Sequence, residues 1–219
     1  MARTLLLDLD GTLVDSVPDI AAALNRLMAA RSLVPFTRPQ VASMVGDGVA
    51  VLVARAFAAR DARQDDAAVA QFAADYEAHV AVESRLFPDA KRVLDGLARE
   101  GWQFAVCTNK PERASRTLLE TLGILPMLRA VGGGDSFPVR KPDPAHLLAT
   151  LARVPGTTDR TLMLGDHHND VIASAGAGIR CIFAGWGYGA PGMAEGSVAV
   201  ALDFNDAAAI ANRLLPPAG

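Results

Sequence analysis

The sequence predicts an α/β fold: a doubly wound parallel sheet with helices on both faces and an all-helical insertion after the first strand. Three observations carry this. Residues 4–9 form a continuous apolar run ending in acids, as a parallel strand buried on both faces does when its carboxyl end opens on a site. From Phe87 onward strand-like and helix-like segments alternate, which is the pattern of repeated βα units. Between these regions no strand-like run occurs before Trp102, and the chain is alanine-rich with apolar residues at helical spacing.

Taken in order, the insertion reads as helices over 18–31, 39–45, 49–60 and 65–82. After it come helices over 89–100, 112–122, 144–153, 170–175 and 206–214, with strands over 102–108, 128–131, 161–164, 180–183 and 198–202. Residues 1–15 and 83–219 would form the core, and residues 16–82 the separate helical domain. No internal repeat or low-complexity linker interrupts the pattern.

Composition narrows the function classes. Apolar residues make up 51% and the formal net charge is −3, which describes a globular chain with no long-range attraction for nucleic acid or an anionic membrane. Lys91, Lys110 and Lys141 are the only lysines, so each stands out. Cys107 and Cys181 are too few and too far apart for a disulfide framework or a zinc site. The apolar run before Asp8 is too short for a signal peptide, and no stretch is long enough to span a bilayer, so a cytoplasmic protein is expected.

In doubly wound sheets ligands bind beyond the carboxyl ends of the strands. The polar residues there are Asp8 and Asp10, then Thr108, Asn109 and Lys110, then Asp166 and Asp170. Gly11 lets the chain turn where the first strand stops, so both early carboxylates can face one site. With Asp166 they make an oxygen-only environment suited to Mg²⁺. A carboxylate can attack phosphorus and form an aspartyl phosphate that water later hydrolyses. Mg²⁺ and Lys141 would neutralise the phosphate oxygens, Thr108 and Asn109 would donate to them, and Asp10 would protonate the leaving alcohol and then activate water.

These residues and their order resemble the haloacid dehalogenase-like hydrolases along essentially the whole chain. Asp8-Leu9-Asp10-Gly11-Thr12 is similar to the first motif of that superfamily, Thr108 to the second, Lys141 to the third, and Gly165-Asp166 with Asp170 to the fourth. The resemblance implies a Rossmann-like core, a helical cap over about 16–82, and hinges near 13–16 and 82–87. It further implies that Asp8 is nucleophile and metal ligand, and that Asp10 is acid/base with its carbonyl on Mg²⁺. Thr108 and Lys141 would bind phosphate, Asp166 would ligate the metal, and Asp170 would be an outer-shell or alternate ligand. Segments 45–49, 108–111 and 186–189 resemble bacterial phosphoglycolate phosphatases, which imply 2-phosphoglycolate as substrate; a sugar phosphate is the alternative.

Competing chemistries are weighed on single residues. A dehalogenase has no use for Asp10, and Schiff-base phosphonate cleavage needs a cap lysine, which residues 1–90 lack. A phosphomutase stays open. An aspartate-phosphorylated receiver would have no helical insertion after its first strand. Two readings of the 46–48 loop also stay open: Gly46 and Gly48 offer backbone amides to a substrate anion at a helix start, or Asp47 caps that helix itself. His167 and His168 are expected as solvent-facing loop residues. The partner is a small phosphate ester, and the protein a monomer or homodimer.

Overall fold

The computed structural model describes residues 2–217. Its strands are β1 (Arg3–Leu7), β2 (Val14–Asp15), β3 (Arg85–Leu86), β4 (Trp102–Cys107), β5 (Leu128–Gly132), β6 (Thr161–Gly165), β7 (Arg180–Ala184) and β8 (Ala199–Ala201). Its α-helices are α1 (Val17–Ala29), α2 (Arg38–Ala42), α3 (Val49–Ala58), α4 (Ala68–Ala78), α5 (Ala90–Arg99), α6 (Glu112–Thr121), α7 (Pro144–Leu151), α8 (His168–Gly176) and α9 (Phe204–Leu214). Six strands form one parallel sheet in the order β5-β4-β1-β6-β7-β8. The order runs outward from β1 on one side and then restarts at β6 on the other. The β1/β6 boundary is therefore a topological switch point, where a crevice opens beyond the strand ends.

Strand alternation places Leu5, Leu7, Phe104, Val106, Leu162 and Leu164 in one apolar cluster and Leu6, Ala105, Cys107, Met163 and Cys181 in the other. Both faces of the sheet are thus buried, which is why its strands read as unbroken apolar runs rather than as alternating ones. Each fully buried Leu or Phe contributes about 1.5–3 kcal/mol. The cysteines are free and buried. Among the described residues no helix is long and apolar enough to cross a membrane.

Helices α1–α4 gather around a cluster of their own, with Leu24, Met28, Val53, Phe57 and Phe72 buried among them. One element was not foreseen. β2 and β3 pair antiparallel, Val14 with Leu86 and Asp15 with Arg85, so the chain leaves for the helices and returns from them at one place. Two-residue strands carry no periodicity to read. Just beyond, Asp19 Oδ1 accepts from Glu83 N at 2.9 Å, and Oδ2 accepts from Ser84 N at 2.9 Å and Ser84 Oγ at 2.6 Å, fastening the start of α1 to the returning strand. Helix α8 begins earlier than its sequence pattern suggests, because His167 caps it. His167 Nδ1 accepts from Asn169 N at 3.3 Å, while Asp170 Oδ2 accepts from His167 N at 3.1 Å, a reciprocal box that closes the first turn.

Candidate active site

The site is assembled by strand ends. Asp8 stays in register with the sheet, its N–H donating to Leu164 O at 2.9 Å. Its Oδ1 accepts from Leu9 N at 2.7 Å and pairs with Lys141 Nζ at 3.0 Å, which leaves Oδ2 with no protein donor among the described residues. Gly11 then turns the chain at φ +85°, a left-handed conformation that a side chain would strain, and a Cβ there would run into Asp166 Oδ2. That turn carries Thr12 Oγ1 to Asp166 Oδ1 at 2.7 Å. Tyr188 N donates to Asp166 Oδ2 at 2.8 Å, so the 186–189 segment braces the same carboxylate from the far side.

Lys141 is buried at the centre. Its ammonium reaches Asp170 Oδ1 at 2.6 Å, Cys107 O at 2.7 Å and Asp8. Burial alone works against its charge, but Asp170 and Asp8 outweigh that cost and hold its pKa above the ordinary lysine range. Carboxylate oxygens of Asp8, Asp166 and Asp170 all lie within 4.8 Å of one another. Burial, then the charge of Asp8, pushes Asp166 up to about 7, because the three acids have one lysine between them. Oxygen-only donors, burial and excess negative charge fit a hard divalent cation.

Asp10 is held differently. Ser16 Oγ donates to its Oδ1 at 2.6 Å, and Lys110 Nζ pairs with Oδ1 and Oδ2 at 3.0 and 3.1 Å. Ser16 was not among the expected site residues, and Lys110 was expected at the strand ends but without a role. The signal for Lys110 was present: it is one of three lysines, directly after Thr108-Asn109. Thr108 is buried, and its Oγ1 accepts from Lys110 N at 3.2 Å. Asp8, Asp10, Thr108, Asn109 and Lys110 line a cavity whose opposite wall is formed by Ile20, Val45, Val49, Leu52, Phe72 and Tyr76 of the insertion.

Three expectations need correction. Asn109 was expected to donate to a substrate, but its two Nδ2 hydrogens go to Gly46 O at 3.0 Å and Lys141 O at 2.9 Å, so its side chain clamps the 46–48 loop to the core. Asp47 does not cap α3: Gly48 is the N-cap at φ +89° with no side-chain cap, and Asp47 reaches Asn169 Nδ2 at 2.7 Å and Arg55 Nη2 at 2.6 Å. Gly46 and Gly48 do line the cavity. His167 is not solvent-facing either. It is buried against Gly46, where an added Cβ would lie 2.6 Å from its ring, and burial lowers its pKa to about 4.

Residues 2–178 match the haloacid dehalogenase-like hydrolase family. The chain is 40% identical over 213 residues to a phosphoglycolate phosphatase of Rhodospirillum rubrum, covering 93% of this chain and 88% of that protein. It is 42% identical over 177 residues to one of Cereibacter sphaeroides, covering 79% and 80%. A crystal structure of a predicted phosphoglycolate phosphatase from Haemophilus somnus superposes with a TM-score of 0.88 at 29% identity, over 95% of this chain and 97% of that one. The chain belongs to the haloacid dehalogenase-like hydrolases. Within that family it is a phosphoric monoester hydrolase.

Proposed function

We propose that the chain hydrolyses 2-phosphoglycolate with Mg²⁺ through an aspartyl phosphate on Asp8. The observation that carries this reading is the convergence of a buried lysine and two further buried acids on Asp8, which itself lines the cavity. When bound among Asp8, Asp166, Asp170 and the carbonyl of Asp10, Mg²⁺ supplies charge neutralisation for the phosphoryl oxygens. Asp8, with Oδ2 unencumbered, forms the bond to phosphorus as the bond to the leaving oxygen breaks. Lys141 and the Thr108 hydroxyl hold the phosphoryl oxygens. Asp10 gives its proton to the leaving alkoxide. It then takes one from the water that attacks the aspartyl phosphate, regenerating Asp8 and releasing inorganic phosphate. The helices α1–α4 act as the cap, with the β2–β3 ribbon as the hinge, and exclude water while the intermediate persists.

The mainly apolar wall of Ile20, Val45, Leu52 and Phe72 offers few partners to sugar hydroxyls, which supports a short tail over a sugar phosphate. The enzyme is read as cytoplasmic, acting as a monomer or homodimer without nucleic acid or membrane. Phosphate release from a panel of esters in the presence of Mg²⁺ tests the reading, with 2-phosphoglycolate expected to lead. Acid-quenched protein that carries no phosphate on Asp8 during turnover would refute the covalent route.

A further inference from the structure

Lys110 has no part in the steps above, yet among the described residues it is the only basic one lining the cavity. Its side chain is 5% exposed, and its ammonium grips both oxygens of Asp10 and lies 4.2 Å from the centroid of the Tyr76 ring. Lys110 follows β4 in the core and Tyr76 stands on α4, so this contact joins the two walls. The Tyr76 hydroxyl is buried without a hydrogen-bond partner and belongs to the same cavity. A buried hydroxyl left unpaired is unfavourable and marks a place where another group is expected.

The remaining wall sharpens the point. A negatively charged tail entering between Val45, Leu52 and Phe72 loses its water and gains nothing from those side chains in return. It needs a cation, and one is present but engaged. Lys110 is held by both oxygens of Asp10, so a carboxylate tail has to draw it away from that partner.

We propose that Lys110 reads the substrate's charge: it turns from Asp10 to the carboxylate of a short phosphorylated hydroxy acid. Tyr76 completes the tail site by donating its hydroxyl to the same carboxylate. An ester without the anionic tail leaves the Lys110–Asp10 pair intact and gains no contact from Lys110. This inference rests on the phosphatase reading and adds to it the residue that selects the substrate.

Two esters of equal length separate the possibilities, 2-phosphoglycolate and 2-hydroxyethyl phosphate, assayed with Mg²⁺ on the full chain. The native protein is expected to favour the carboxylate ester in kcat/KM. Lys110→Met should cut that preference by about 30-fold, the size of a lost charge-assisted hydrogen bond. Lys110→Gln serves the same comparison if the methionine variant fails to fold. Calorimetric binding of 2-phosphoglycolate to Asp8→Asn protein, with and without the Lys110 change, should weaken by a similar factor. A native protein indifferent to the carboxylate would sink the substrate reading together with this one. A native preference that survives the Lys110 change, or equal losses on both esters, would overturn the role of Lys110 alone.

Discussion

The two walls of the cavity are built on opposite physical terms. The core wall concentrates charge: Asp8, Asp10, Lys110 and, just behind them, Lys141, Asp166 and Asp170, nearly all buried and pinned by one another. The wall from the insertion is mainly apolar and packs on a hydrophobic cluster of its own. Fixed charges on strand ends have nowhere to move, so that wall is suited to stabilising a transition state. An apolar lid contributes by removing water and by making any charged tail depend on the few cations available. On the proposed function, chemistry belongs to the core, and selection to the seam where Lys110 of the core meets Tyr76 of the insertion.

The largest expected effect comes from breaking the core wall. Asp8→Asn should lower turnover by about 10⁴-fold or more, because an amide cannot replace the carboxylate nucleophile. Circular dichroism and the melting temperature should change little, since the substitution removes one of three crowded acids. Substantial steady-state turnover by the pure variant would remove the covalent step.

Chelation should be nearly as severe. EDTA is expected to silence the enzyme and Mg²⁺ to restore it. Asp166→Ala should raise the Mg²⁺ requirement by at least about 10- to 100-fold, a loss typical of removing even an outer-shell partner of a metal ligand. Because burial and Asp8 raise the pKa of Asp166 to about 7, Mg²⁺ binding near that pH should release protons and weaken as pH falls. Calorimetry in buffers of different ionisation enthalpy reads this directly. Proton-neutral binding would remove Asp166 from the ligand set.

How much of this contrast could be read from the chain follows from the same physics. Asp8, Asp166 and Lys141 were legible because each follows a strand-like run or a turn in a repeating βα order, and the fold rule says where strand ends meet. Lys110 was visible as a residue but not as a partner of Asp10, because that contact depends on how two loops 100 positions apart are turned. The roles of Asp47 and Asn109 were missed for a related reason. Local capping propensity favours Asp47 at the start of α3, but Asn169 and Arg55, reached only in three dimensions, outcompete the helix end for its oxygens. The β2–β3 ribbon was too short for any pattern to register.

A smaller effect separates the walls by pH. His146 sits in the core, its Nε2 3.0 Å from Gly133 O, and burial lowers its pKa to about 4. The unfolded chain takes up that proton near pH 6.5 and the folded one only near 4, so this group's stabilisation is present above 6.5 and is lost as pH falls through that window. The loss can reach about 1.4 kcal/mol per pH unit. With Mg²⁺ saturating, so that the acid trio does not titrate, the native protein should lose more stability than His146→Asn between pH 7 and pH 5 by denaturant unfolding. Parallel losses would place the acid sensitivity elsewhere.

The smallest predicted effect tests the seam where the walls meet. Asn109 Nδ2 and Asn169 Nδ2 both lie within reach of Gly46 O, at 3.0 and 3.4 Å, and Asn169 also takes Asp47 Oδ1 at 2.7 Å. These contacts hold the 46–48 loop against the core but touch neither phosphorus nor the acid trio. If closure is an equilibrium, weakening the closed state lowers the fraction of molecules able to bind productively without altering the chemistry inside those that do. Asn169→Ala removes the hydrogen bond to the Asp47 carboxylate, worth about 1.5–3 kcal/mol at most, together with the longer one to Gly46 O, and leaves the Asn109 clamp in place. A rise in KM of about tenfold is expected, with kcat within about twofold of native. The opposite split, kcat falling with KM unchanged, would mean that Asn169 acts on the transition state through Asp170 next to it, and that the seam belongs to the core's chemistry rather than to closure.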